Sequence, residues 1–232
     1  MRHRTNTLLA AAMTLGSGCG GSTKYILVRV NNDAALQYRV HGLGEHLTRT
    51  ACSVYDCTGI EWRFGVVEDH PFGASASYDG NIAVDAWLAG TLRIDELAWL
   101  VSHEIGHAIK HHARRGTTAD VAGSGAVLIG TLVTLPFAPW WVPLSVLIGG
   151  DTTRELGTAA YGRSLEVEAD TFAVWLTVAA GYPPDSGIRA LARMGTLAAH
   201  RQPWFGATLF ATHPELTDRI VNVAREAARY RR

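Results

Sequence analysis

Two histidines in the stretch AWLVSHEIGHAIKHHARR, Ala98–Arg115, stand four residues apart with a glutamate directly after the first: His103, Glu104 and His107. On a helix, residues four apart share a face, so both imidazoles can aim at one ion. Glu104 then lies beside that ion rather than on it. This is the H-E-x-x-H arrangement, in which the carboxylate takes a proton from a water that the metal activates. Small Gly106 sits between the ligands. The stretch also holds His111 and His112. His111 is two turns from His103, beyond reach of the same ion, and His112 reads as a polar contact near the helix end.

Two histidines do not complete a catalytic zinc, which keeps three protein ligands and one open position. A third histidine six residues after His107 would give one known pattern, but that position is Ala113. The other source is a carboxylate on a later helix. YGRSLEVEAD, Tyr161–Asp170, offers Glu166, Glu168 and Asp170. Glu166 and Asp170 are four apart and share a face. That suits one ligand and one carboxylate that holds a ligating imidazole by its other N–H. Glu168 is turned away and reads as a surface or salt-bridge residue.

HEIGH, then R-x-x-E-x-E-A-D at Arg163–Asp170, then T-H-P-x-x-x-x-R-I at Thr212–Ile220, resembles metallopeptidase family 48. The resemblance runs from about Ile60 to Ile220. It implies the fold of that class: α+β, mostly helical, a zincin-like metalloprotease with a small sheet beside the HExxH helix. It implies one Zn2+ per chain on His103, His107 and Glu166, with Asp170 as the companion carboxylate. It also implies that His213 reaches the site, helped by Arg219 in stabilising an oxyanion. His213 and Pro214 equally suit a cap of the last helix. FGASASYDGNIAV resembles an edge strand along which an extended substrate would pair near Ala74–Tyr78, although the usual Asn-Ala-Phe signature is not matched there. Protein or peptide substrates follow, with hydrolysis of extended or unfolded chains as the expected activity. The competing reading is a latent protease that acts as a chaperone-like or assembly-binding factor, and a third is a helical lipoprotein with no metal.

These residues need elements to carry them. Asp33–Thr50 has apolar Leu36, Val40, Leu43 and Leu47 at helical spacing. Ile60, Trp62, Phe64 and Val66 alternate as in a strand. A second and a third strand flank an Asp79–Gly80 turn, the third over Asn81–Val84. Thr91–Arg115 reads as one helix, and Ser164–Ala180, Ser186–Ala199 and Pro214–Arg231 as three more, the first stopped by Gly181 and Pro183. Between the first two motifs, Val121–Gly150 has no charged residue. Pro136, Pro139 and Pro143 break it into arms too short to span a bilayer. It reads as a buried hairpin, as a lid over a cleft, or as a membrane-dipping hairpin anchored by Trp140 and Trp141.

Lysine plus arginine and aspartate plus glutamate are both 21, so the zero net charge gives no basis for a nucleic-acid partner. Residues 1–22 read as an export signal: basic Arg2 and Arg4, the short apolar run Thr7–Leu15, then GSGCGG. Cys19 sits as in a lipoprotein cleavage box, with Gly16 where leucine is usual; plain secretion or an uncleaved anchor are the alternatives. Residues 23–232 then form a single metalloprotease domain, exported to the cell envelope as a periplasmic lipoprotein. Membrane association would come through the Cys19 lipid and, in one reading, through 121–150. Cys52 and Cys57 suit a small disulfide in an oxidising compartment, or two small buried residues. Oligomeric state is not legible.

Overall fold

A computed structural model describes residues 10–13, 26–68, 73–77, 79–111, 163–200 and 216–231. Five strands form one sheet in the order β1-β2-β3-β5-β4, with β1 Ala10–Met13, β2 Ile26–Val30, β3 Arg63–Glu68, β4 Ala74–Ala76 and β5 Asn81–Asp85. Six described helices accompany it: α1 Ala34–Cys52, α2 Ala86–Thr91, α3 Ile94–Ile109, α4 over 163–179, α5 Ser186–His200 and α6 Leu216–Ala228. The class is α+β and mostly helical. No described helix is long and apolar enough to cross a membrane.

Next to the edge strand β4 lies β5, which pairs parallel with the central β3 and antiparallel with β4. Asp79–Gly80 makes the β4–β5 connection, with Gly80 at φ 96, a conformation that favours glycine. Ile82, Ala83 and Val84 are all buried, as are the consecutive Val66 and Val67. Strands covered on both faces lose the alternating pattern, so the alternation at Ile60–Val66 marks only part of β3, which starts at Arg63. β1 falls inside the segment that reads as an export signal and lies at the sheet's outer edge beside β2.

Asp33 starts α1 by accepting from the N–H groups of Ala35 and Leu36. Val40, Leu43 and Leu47 face the core, as their spacing requires. Gln37 ties α1 to β3, its amide exchanging hydrogen bonds with both the N–H and the C=O of Val66 at 3.0 and 2.9 Å. Arg39 donates to the carbonyls of Ala89 and Leu92, satisfying acceptors left open where α2 ends. The Cys52–Cys57 disulfide closes the chain just after α1. A loop this short restricts the unfolded chain by about 2 kcal/mol.

The single helix expected over Thr91–Arg115 is a correction. The backbone is extended at Leu92 and Arg93, with ψ 144 and 161, and separates α2 from α3. One local signal competes with helix continuation there: Glu96 reaches back to accept from the Arg93 N–H at 2.9 Å, starting a new helix. The helix also ends earlier, at Ile109, and His111 has φ 54. α4 ends as its glycine suggests: Gly181 has φ 88, and the Tyr182 N–H returns to the Thr177 carbonyl.

The start of α3 is riveted to α5. Arg189 pairs with Asp95, and Arg193 Nε lies 2.8 Å from Glu96 Oε2. One turn on, Trp99 is 1 % exposed and packs against the first turn of α5 at Gly187. A Cβ on Gly187 would stand 2.6 and 2.7 Å from Trp99 Cδ1 and Cε2. Gly187→Ala should therefore destabilise the protein by about 1–3 kcal/mol through overpacking. Thermal unfolding checks it: a midpoint equal to or above wild type contradicts the packing described.

Candidate metal centre

His103 and His107 project from successive turns of α3, and Glu166 from the first turn of α4. The two Nε2 atoms are 3.0 Å apart. The Glu166 carboxylate lies 3.4 Å from His103 Nε2 and 3.3 Å from His107 Nε2. One ligand atom from each residue thus falls within 4.8 Å of the others. Bonds of about 2.0–2.1 Å to a tetrahedral zinc place its ligand atoms roughly 3.3 Å from one another. The spacing fits.

The site is dry. His103, Glu104, Glu166 and Asp170 are each 1–2 % exposed, and Arg219 is 5 % exposed. His103 Nδ1 donates to Asp170 Oδ1 at 3.0 Å, which leaves Nε2 with its lone pair toward Glu166 and His107. Arg219, from the first turn of α6, grips Asp170 with two bonds, Nε to Oδ2 at 3.0 Å and Nη2 to Oδ1 at 2.7 Å. Its Nη2 is 3.3 Å from His103 Nδ1, and Nη1 is 3.7 Å from Glu166 Oε2. Asp170 thus contacts His103 on the side away from Glu166 and His107. Arg219 sits behind His103, against the carboxylate that holds it.

The titration directions follow. Burial works against the charged form of Asp170, but Arg219 and the His103 hydrogen bond hold its carboxyl below the usual range. Burial and Arg219 disfavour a charged His103, but its hydrogen bonds to Asp170 and Glu166, with the Glu166 charge, outweigh them and lift it to about 9. Burial pushes His107 down despite Glu166. Arg219 is raised, the charges of Asp170, Glu166 and Glu104 overcoming its burial. Three buried carboxylates thus face one buried guanidinium, and the Nε2 atoms of both imidazoles face the same point, where a metal ion would displace the proton that His103 carries. A proton can join two of these donors. A divalent cation joins all three and brings the buried set to neutrality. By donor type, spacing and charge, the residues fit a bound divalent metal ion.

Glu104 is buried on the same helix turn, and its charge acts on both His107 and Arg219. Lys110 Nζ lies 3.5 Å from Glu168 Oε1, the salt bridge expected of that glutamate. His111 is exposed at the helix end. His112, the apolar stretch 121–150, Tyr78, Cys19 and His213 lie outside the described residues.

Two contacts had no signature in the sequence reading. Trp99 stands one turn before His103 on the same stripe, its ring 5.6 Å from the imidazole and 5.7 Å from Arg219 Cζ. A cation over an aromatic face is attractive. The i, i+4 spacing to His103 was the available clue. Phe172 lies against Gly106, where a Cβ would come within 2.9 Å of its ring. Glycine is what lets α3 and α4 approach closely enough for Glu166 to reach both histidines.

The profile of Peptidase family M48 matches residues 35–227. A protein of Vibrio cholerae named "Putative beta-barrel assembly-enhancing protease" is 26 % identical over 207 residues, covering 87 % of this chain and 41 % of that protein. The "Mitochondrial metalloendopeptidase OMA1" of Arabidopsis thaliana is 26 % identical over 144 residues, covering 60 % of this chain and 27 % of its own length. The chain thus spans less than half the length of these curated relatives. With the family profile over most of its length and a possible metal site on His103, His107 and Glu166, the chain belongs to peptidase family M48, a family of metal-dependent peptidases.

Proposed function

We propose that this chain is a zinc-dependent endopeptidase of zincin-like fold, with His103, His107 and Glu166 as metal ligands and Glu104 as general base. The observation that carries the reading is the convergence of those three donors within 4.8 Å of one another, two of them buried and His107 partly so, with Glu104 next to His103. Zinc held there supplies Lewis acidity to a peptide carbonyl and to a water. Glu104 accepts the water's proton and delivers it to the leaving amine. Asp170 keeps the His103 proton on Nδ1, and Arg219 holds Asp170 ionised. Arg219 thus acts by positioning rather than by touching an oxyanion. The oxyanion role falls to His213.

The substrates we infer are extended or unfolded polypeptides in the cell envelope, running beside β4 at the end of the sheet next to α3. The name of the Vibrio cholerae relative is in keeping with protein quality control there. Export with an acylated Cys19 completes the reading. Mass spectrometry of the mature protein from the membrane fraction should find acylated Cys19 as its first residue; an intact Met1 or an unmodified Cys19 contradicts it.

Glu104→Gln should lower cleavage of an unfolded protein substrate about 10²–10⁴-fold, with zinc content unchanged. Retention of cellular activity by that variant would favour the binding-factor reading. Asp170→Asn should weaken zinc binding about 10–100-fold in chelator competition. Arg219→Ala, which leaves Asp170 buried without its partner, should cost about 3–5 kcal/mol of stability by denaturant unfolding. Wild-type affinity in the first, or wild-type stability in the second, removes the positioning roles.

A further inference from the structure

Outside the metal cluster, the disulfide loop after α1 reaches both ligand-bearing helices. Cys52 ends α1, and Cys57 follows five positions later. Between them Tyr55 turns inward, its N–H bonded to the Ala51 carbonyl at 2.9 Å. Its ring meets Phe172 and Trp175 edge-on, with centroids 5.2 and 5.1 Å away. Lys110 Nζ lies 5.2 Å over the same ring and 3.5 Å from Glu168. Tyr55 therefore touches α4 through Phe172 and Trp175, and the end of α3 through Lys110, three residues past His107.

Phe172 carries the contact to the site. One part of its ring sets the approach of Gly106, between the two histidines, and Tyr55 backs it. A metal whose ligands come from two helices depends on their spacing, and supporting side chains hold that spacing. The disulfide is reachable from its Cys52 side: Cys52 is exposed and neighbouring Val54 is 68 % exposed, while Cys57 is partly buried against the core.

We propose that the Cys52–Cys57 disulfide is a redox-sensitive strap that holds Tyr55 against Phe172, Trp175 and Lys110, and so positions the two helices carrying His103, His107 and Glu166. The inference rests on the metal-centre reading. A dithiol reductant opens the strap. One reductant thiolate attacks a cystine sulfur and releases the other cysteine, and the reductant's second thiol then attacks the reductant sulfur of the mixed disulfide and expels the remaining cysteine. Two electrons and two protons pass to Cys52 and Cys57, and the reductant leaves as a disulfide. The freed loop regains conformational entropy, and Tyr55 spends less time in place. Binding weakens by the fraction of time the assembled geometry is lost.

The test compares Zn2+ affinity, by chelator competition, of the full oxidised chain, of dithiol-reduced chain desalted without oxygen, and of Cys52→Ser/Cys57→Ser. The last two should bind zinc about tenfold more weakly than the first. Against a Tyr55→Ala background the serine pair should change affinity by less than about twofold, because the strap has nothing left to hold. Tyr55→Phe should behave as wild type. Hydrogen exchange over residues 103–110 without zinc, faster in the serine pair, gives a second readout. Tight zinc binding that is indifferent to the disulfide, or an equal tenfold loss in the Tyr55→Ala background, overturns the strap and leaves the metal centre standing. If no form binds zinc, the metal reading fails, and unchanged exchange at 103–110 then overturns the strap as well. Should Tyr55→Ala not fold, Tyr55→Leu, which also removes the ring that meets Phe172 and Trp175, serves as the background in its place, with the same outcomes.

Discussion

Three electron-pair donors from two helices point at one dry spot, and that convergence sets the terms for the surrounding structure. Donors of this kind repel or compete unless something positive lies among them. His103, His107 and Glu166 supply the donors, while Glu104 and Asp170 add buried negative charge. The Arg219 guanidinium offsets one carboxylate. The remaining imbalance is what a divalent ion corrects, so burial and metal binding are linked.

Much of the helical framework serves to keep those donors aligned. α3 is fixed at its start by Asp95 and Glu96 to the arginines of α5, and along its length by Trp99 against Gly187. Its crossing with α4 is set by Gly106 against Phe172. α6 enters through Arg219, which joins a third helix to the back of the site. Each device combines a polar contact that gives direction with a close apolar contact that gives distance.

The site's ligands were legible because helical spacing is local. His103 and His107, and then Glu166 and Asp170, lie four apart, and the helix converts that spacing into a shared face. Their meeting across some sixty residues was not a matter of spacing; it came from the order of three motifs. What escaped was decided by tertiary contacts. The break at Leu92–Arg93 follows from capping of the Arg93 N–H by Glu96, which a continuous apolar pattern conceals. Val66 and Val67 are both buried because helices and sheet enclose β3 on two sides, and alternation cannot report that. Arg219 lay in a recognised motif, yet only the fold pairs it with Asp170.

The central claim concerns what His103, His107 and Glu166 hold. X-ray absorption at the zinc edge on the natively purified protein reads this directly. Two imidazole nitrogens at about 2.0–2.1 Å and a carboxylate oxygen at a similar distance are predicted, with no sulfur neighbour. A sulfur neighbour, an all-oxygen shell, or protein without bound zinc would contradict the account.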